Sequence, residues 1–205
     1  ADFVRRANYA RSLRKRLHAL DRTSLSASSR LNYDMFDYLL GRTIVFANHR
    51  SWRIPFLSDS GFHTAPARAW QSIRFEKADD YYAYIKQLGD LPRFFNEHIT
   101  NMRAGISDGF TMPQVVLDGL MPTFSAHIVN KAEESALYGP FHDIVNTISD
   151  QEKAAITERA KRVINDQVVP AYRRLNDFMT NEYYPASRVD LAATNLPNGQ
   201  KYYAD

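Results

Sequence analysis

The sequence predicts an all-α chain: an elongated multi-helix bundle with one long kinked helix and one irregular, aromatic-rich loop segment. Three observations predict it. Apolar residues recur at three- and four-residue steps over most of the length, the period of an amphipathic helix. Serine, aspartate and proline stand where those stretches begin, as helix starts require. Between residues 47 and 75 the period stops, and tryptophan and phenylalanine take over. A chain of 205 residues buries enough surface to fold by itself. It reads as a single helical region, 1–205, made of a helical pair (1–46), the irregular segment (47–75), a helical array (76–185) and a C-terminal stub (186–205).

The first helix is expected over about residues 2 to 20, with Phe3, Ala10, Leu13, Leu17 and Leu20 on one stripe. Ser26 or Ser28 caps the second, whose shared face is Leu31, Met35, Tyr38, Leu39 and Val45. So short a link makes the pair antiparallel. The irregular segment has no apolar period but carries Trp52, Phe56, Phe62 and Trp70, rings expected to pack downward, with room for a short hairpin.

Helical signals return in a short element over 78 to 88, then in another opened by Asp90 with Pro92 in its first turn. Thr111, Pro113 and Gln114 read as a capping box for a helix carrying Leu117, Leu120 and Phe124, bent by Pro122. Ser149 and Glu152 read as a second box. The helix they open runs to about Tyr183, roughly 50 Å at 1.5 Å per residue, with a kink expected at Pro170. Leu196-Pro197-Asn198-Gly199 is a tight turn, and Tyr202 and Tyr203 follow as the start of a strand.

Composition narrows the function classes. Cysteine is absent, which excludes disulfides, thiolate metal sites and a cysteine nucleophile. No apolar run is long enough to be a transmembrane segment. The isoelectric point near 9.1 points to nucleic acid, but the charge distribution does not. Residues 1 to 22 hold seven basic groups against Asp2 and Asp21; with the whole chain at +3, the rest stands at −2. Basicity confined to one helix is a solvated or intramolecular face, so no nucleic acid partner is expected.

The six histidines, His18, His49, His63, His98, His127 and His142, never fall three or four apart, the helical spacing a zinc site needs. No nucleophile elbow and no phosphate loop occurs. The sequence therefore names no catalytic residue, no metal ligand and no cofactor held by this chain. Its substrate-cleft candidates are Arg50, Arg53 and His63, which suit the grip of a carboxylate, together with Tyr202 and Tyr203. The same arginines also fit a surface loop with their stems packed over rings, which is the preferred reading. Asn101, Arg103 and Asp108, around Gly105 and Gly109, are read as stitching a helix end to the next cap.

Several strings, in order, resemble a known family. They are Arg30-Leu31-Asn32-Tyr33-Asp34, Gly61-Phe62-His63-Thr64, Leu91-Pro92-Arg93-Phe94 and Asn101-Met102-Arg103-Ala104-Gly105-Ile106. Gly109-Phe110-Thr111-Met112-Pro113, Tyr138-Gly139-Pro140-Phe141, Val169-Pro170-Ala171-Tyr172, Glu182-Tyr183-Tyr184-Pro185 and Leu196-Pro197-Asn198-Gly199 follow. Their collinear order over nearly the whole chain resembles the bacterial domain of unknown function 885. Where many members have two glycines before His-Thr, this chain has Ser60-Gly61. The resemblance implies similarity to helical zinc metallopeptidases, a periplasmic or lipid-anchored exported protein, and a zinc motif of His-Glu and Pro-Gly-His beyond the point matching Asp205. On that expectation the chain is the N-terminal, cleft-forming part of a hydrolase, its partners being the C-terminal remainder of its own protein and a peptide substrate. The alternative is a non-catalytic helical scaffold or binding module.

Overall fold

The structure, a computed structural model, describes residues 2–204. In chain order the helices are α1 (Asp2–His18), α2 (Ala27–Asn48), α3 (Ala65–Ala69), α4 (Ala78–Ser107), α5 (Gln114–Ser125), α6 (Asp150–Val163), α7 (Val169–Phe178) and α8 (Gly199–Ala204). Among the described residues there is no strand, only two isolated bridges, Phe56 with Gly61 and Pro113 with Arg188. The chain is all-α. It divides into two compact units, residues 1–52 with 193–205, and residues 53–192.

In the first unit α1 and α2 run antiparallel, as Arg11 reaching Asn48, Arg14 reaching Asp37 and Arg22 reaching Asp34 require. Ser26 caps α2 by accepting from the Ser29 amide. Buried Ala7 and Ala10 let the helices approach closely, and Leu17 packs with Leu40. The expected apolar face of α2 is corrected here: Leu31, Met35, Tyr38 and Leu39 are exposed. α2 is apolar on two sides, and the side bearing Tyr33, Asp37, Leu40 and Ile44 wins α1. Asp37 helps decide it, because Arg14 bonds its carboxylate bidentately.

The strand expected at Tyr202 and Tyr203 is helix instead. Asn198 takes the left-handed conformation at φ 56°, and its carbonyl then accepts from the Tyr202 amide, an α-helical step. A Cβ on Gly199 would lie 2.3 Å from the Ala193 carbonyl oxygen, so only glycine fits.

In the second unit the two helices expected on either side of residue 89 are one, α4, 30 residues long. Pro92 removes a single backbone donor, whereas the stripe Tyr81, Ile85, Leu88, Leu91, Phe95, Ile99 and Met102 is buried without interruption. Asp80 holds its start by accepting from the Glu76 and Lys77 amides, both at 3.0 Å. The Thr111 capping box is also corrected. Thr111 accepts from the Arg188 amide instead, and extended Pro113 precedes the first turn of α5. Ser149 caps α6 as expected, but Glu152 accepts from the Tyr82 hydroxyl rather than completing a box.

α6 and α7 belong to one helical run of 34 residues. Two widened, π-type turns interrupt its α geometry, at Ile164–Val168 and at Met179–Tyr183. The first lies immediately before Pro170 and absorbs the strain expected there.

The irregular segment packs inward through Phe56 and Phe62, and Phe56–Gly61 forms the short hairpin-like bridge. Trp70 donates to the Ala136 carbonyl at 3.0 Å. Its ring lies over Gly139, where a Cβ would stand 2.3 Å from ring carbon Cζ2. Gly139→Ala is therefore expected to cost about 1–3 kcal/mol through overpacking, read as a lowered urea midpoint at unchanged slope.

Candidate functional site

The most deeply placed histidine is His63, between the bridge at Phe56–Gly61 and the start of α3. It is 0% exposed. Its ring stacks on Phe124 of α5 at 4.0 Å, and Nε2 lies 2.7 Å from Thr123 Oγ1. The Thr123 hydroxyl donates to the Leu120 carbonyl at 2.6 Å, so it accepts from His63 Nε2–H. That fixes the tautomer: Nδ1 carries the bare lone pair and has no hydrogen-bond partner in the protein. The Tyr172 hydroxyl of α7 donates to the His63 carbonyl at 2.7 Å.

Two further histidines lie against rings in the same core. His98 of α4 stacks on Phe62 at 4.1 Å, and His127, just after α5, lies 4.5 Å from the Tyr172 ring. Burial pushes His63 down to about 4, with a smaller repulsion from His127. It lowers His98 and His127 as well, Glu97 opposing it slightly at His98. These imidazoles are neutral packing groups at pH 7.

Arg53 and His63 belong to the second unit; Arg50, Tyr202 and Tyr203 belong to the first. Arg53 pairs with Asp108 beyond the end of α4, its side chain only 12% exposed. Gly105 permits that approach, since a Cβ there would lie 3.2 Å from Arg53 Cβ. Arg50 is exposed, with left-handed φ 53°. Tyr202 meets His49 edge-on at 5.2 Å, and Tyr203 is 78% exposed. The polar set near Gly105 is divided: Asp108 takes Arg53, while Arg103 forms a bidentate pair with Glu182 at 2.6 and 2.8 Å.

The sequence reading did not gather His98, His127, Thr123 and Tyr172 around His63. One signal was available: His98 sits beside Ile99 and three residues after Phe95, on the edge of a buried stripe. Among the described residues no group of three histidine, cysteine, aspartate or glutamate side chains is placed to hold a metal ion. The zinc implied by the resemblance finds no donor set in these residues. Two imidazole nitrogens, His63 Nδ1 and His98 Nδ1, are buried without a hydrogen-bond partner, and both rings stack against phenylalanine.

The model of a family of bacterial proteins of unknown function, DUF885, matches residues 1–205. The chain belongs to DUF885. Neither a curated protein nor a solved structure matches it. The strings that carried the resemblance have visible structural duties in this DUF885 chain. In Gly61-Phe62-His63-Thr64, Thr64 Oγ1 donates to the Gly61 carbonyl and accepts from its amide, closing the turn. A Cβ on Gly61 would meet Phe56 Cβ at 2.6 Å. The Ser60 hydroxyl donates to Asp59 Oδ1 at 2.9 Å and takes no part in that turn's bonds. The Tyr183 hydroxyl accepts from the Met112 amide, Tyr184 donates to Asp118, and the Arg188 guanidinium collects the carbonyls of Thr111, Asp190 and Ala192.

Proposed function

We propose that this chain is a helical, cleft-forming region of a zinc-peptidase-like bacterial hydrolase, giving shape and support but no catalytic group. The observation that carries the reading is where the polar side chains go. The family strings close turns and join elements, Arg53 answers Asp108, Arg103 answers Glu182, and His63 is committed to Thr123. Side chains so engaged position a framework; they are poorly disposed to trade protons with a substrate. In this reading the zinc and its holders come from the remainder of the same polypeptide, the substrate is a peptide, and the protein works in the periplasm or on a lipid anchor.

The test is peptide hydrolysis by the natural polypeptide that contains these residues, with and without a chelator. Cleavage that stops on chelation and returns with zinc is expected, while the 205-residue chain assayed by itself cleaves nothing. Chelator-insensitive cleavage by metal-free protein, or stoichiometric histidine-bound zinc within these residues, overturns the reading. A second reading, a non-catalytic binding module, is favoured by one observation, the exposed apolar row on α2.

A further inference from the structure

Residues 54–69 lie as a flap against α4, α5 and α7, anchored at both ends. Before it, Arg53 pairs with Asp108; after it, Trp70 donates to the Ala136 carbonyl. Among the described residues, two hydrogen bonds tie the flap itself to the helices, and His63 makes both. Its Nε2–H donates to Thr123 of α5, and its carbonyl accepts from the Tyr172 hydroxyl of α7. Other bonds of the flap are internal, such as Leu57 to Ser60, Phe62 to Pro55 and Thr64 to Gly61. Phe56 and Phe62 add apolar burial, which has no directional hold. Beneath α3 the packing is open: a crevice of about 260 Å³ separates Ala65, Pro66 and Ala69 from Leu88, Leu91 and Phe94 of α4.

Nε2 of His63 already carries a proton, so a second one goes to Nδ1, which is buried and meets no acceptor. His98 Nδ1, on the ring stacked against Phe62 of the flap, is buried and bare in the same way. No neighbour offsets a positive charge there. The titratable groups facing this seat are His98 and Glu97 of α4, His127 after α5, and Tyr172 of α7. Glu97 is engaged by Arg93, the Tyr172 hydroxyl is committed to the His63 carbonyl, and His127 repels. α5 presents Thr123 and Phe124, which do not titrate. Asp59 and Arg68 of the flap are exposed. A buried imidazolium without an acceptor is far better solvated outside the core.

We propose that His63 latches this flap shut and that a proton on its ring releases it, baring the apolar crevice beneath. At pH 7 the imidazole is neutral and Phe56 and Phe62 keep the open form a minority. Falling pH raises its share, because the released ring takes a proton near an ordinary 6.5 and the latched one at about 4. Between pH 7 and 4 that difference multiplies the open population on the order of a hundredfold. This inference does not depend on the hydrolase reading.

The test is amide hydrogen exchange of the 205-residue chain, read by mass spectrometry from pH 7 to 4 and corrected for the intrinsic effect of pH. Peptides from 54–69 are expected to exchange faster than those of α4 and α7 at every pH, with little dependence on urea, as a local opening does. Their protection should fall about a hundredfold over that range. His63→Gln, which has no proton to gain, should remove most of this fall, His98 supplying the remainder. Tyr172→Phe takes away one of the two ties and leaves the imidazole. It should loosen the flap roughly tenfold at pH 7 and keep the full pH dependence. Flap amides that exchange only together with α4 and α7, at the same urea slope, overturn the proposal. So does a pH dependence undiminished in His63→Gln, or a flap unchanged by Tyr172→Phe.

Discussion

Lowering the pH from 6.5 to 4 is expected to cost the second unit about 3 kcal/mol through His63 alone. The folded protein holds this imidazole at about 4, against 6.5 for an unburdened histidine. The unfolded chain therefore takes up the proton first as pH falls. The stability contribution is complete above 6.5 and disappears as pH descends toward 4. Burial also lowers His98 and His127, and both add to the loss in the same direction. Asp37, in the first unit, acts in the same direction but at lower pH: the hydrogen bond from Arg14, largest of its causes, holds it at about 2 against an ordinary 3.8, so its contribution fades mainly below the range in which His63 titrates. Urea melts followed by circular dichroism at pH 7 and 4.5 would read the slope. His63→Gln, which keeps an amide donor for Thr123 but has nothing to titrate, should flatten it. An undiminished slope in that variant would place the acid sensitivity elsewhere.

Phe124→Ala should be more damaging still at neutral pH, costing about 3–5 kcal/mol. The ring is 0% exposed, stacks on His63 and receives Phe56 edge-on at 6.3 Å. Its removal takes away the apolar wall that keeps His63 neutral. The two effects are then coupled: with its burial relieved, His63 should titrate closer to 6.5, and the acid penalty should shrink. Nuclear magnetic resonance of the imidazole protons reads that titration directly. Phe124→Leu, which retains an apolar lid, should leave His63 near its original value. A variant that loses stability without moving the His63 titration would sever the proposed link between wall and proton.

How far the sequence disclosed this architecture depended on the kind of signal. Single-residue stereochemistry was legible: Ser26 and Ser149 cap α2 and α6, and Asn198 takes the left-handed turn conformation. Choices between competing faces were not. α2 offers α1 two apolar sides, and the one that packs also brings Asp37 to Arg14 across the hairpin, a contact no periodicity contains. Pro92 misled because its local cost is one hydrogen bond, while the buried stripe on either side of it acts over the whole of α4. Thr111 looked like a cap, yet it serves Arg188, 77 residues later. The histidine core was hidden for the same reason. His63, His98 and His127 are far apart along the chain and share one aromatic core only because α4, α5 and α7 pack as they do.

The widened turn at Ile164–Val168 also constrains chain length. Ile156, Ala160, Ile164, Val168 and Tyr172 are all buried at steps of four, although an ideal α-helix would rotate such a series by about 40° per step and carry it out of the core. The extra residue in the slack turn resets that drift. Losing one residue there would leave an unbroken rod yet swing Tyr172 and Leu175 through about 100° into solvent. Exposed Asn165 and Asp166 are thus replaceable in kind but not in number, and in DUF885 relatives this stretch should tolerate changed letters sooner than a changed count.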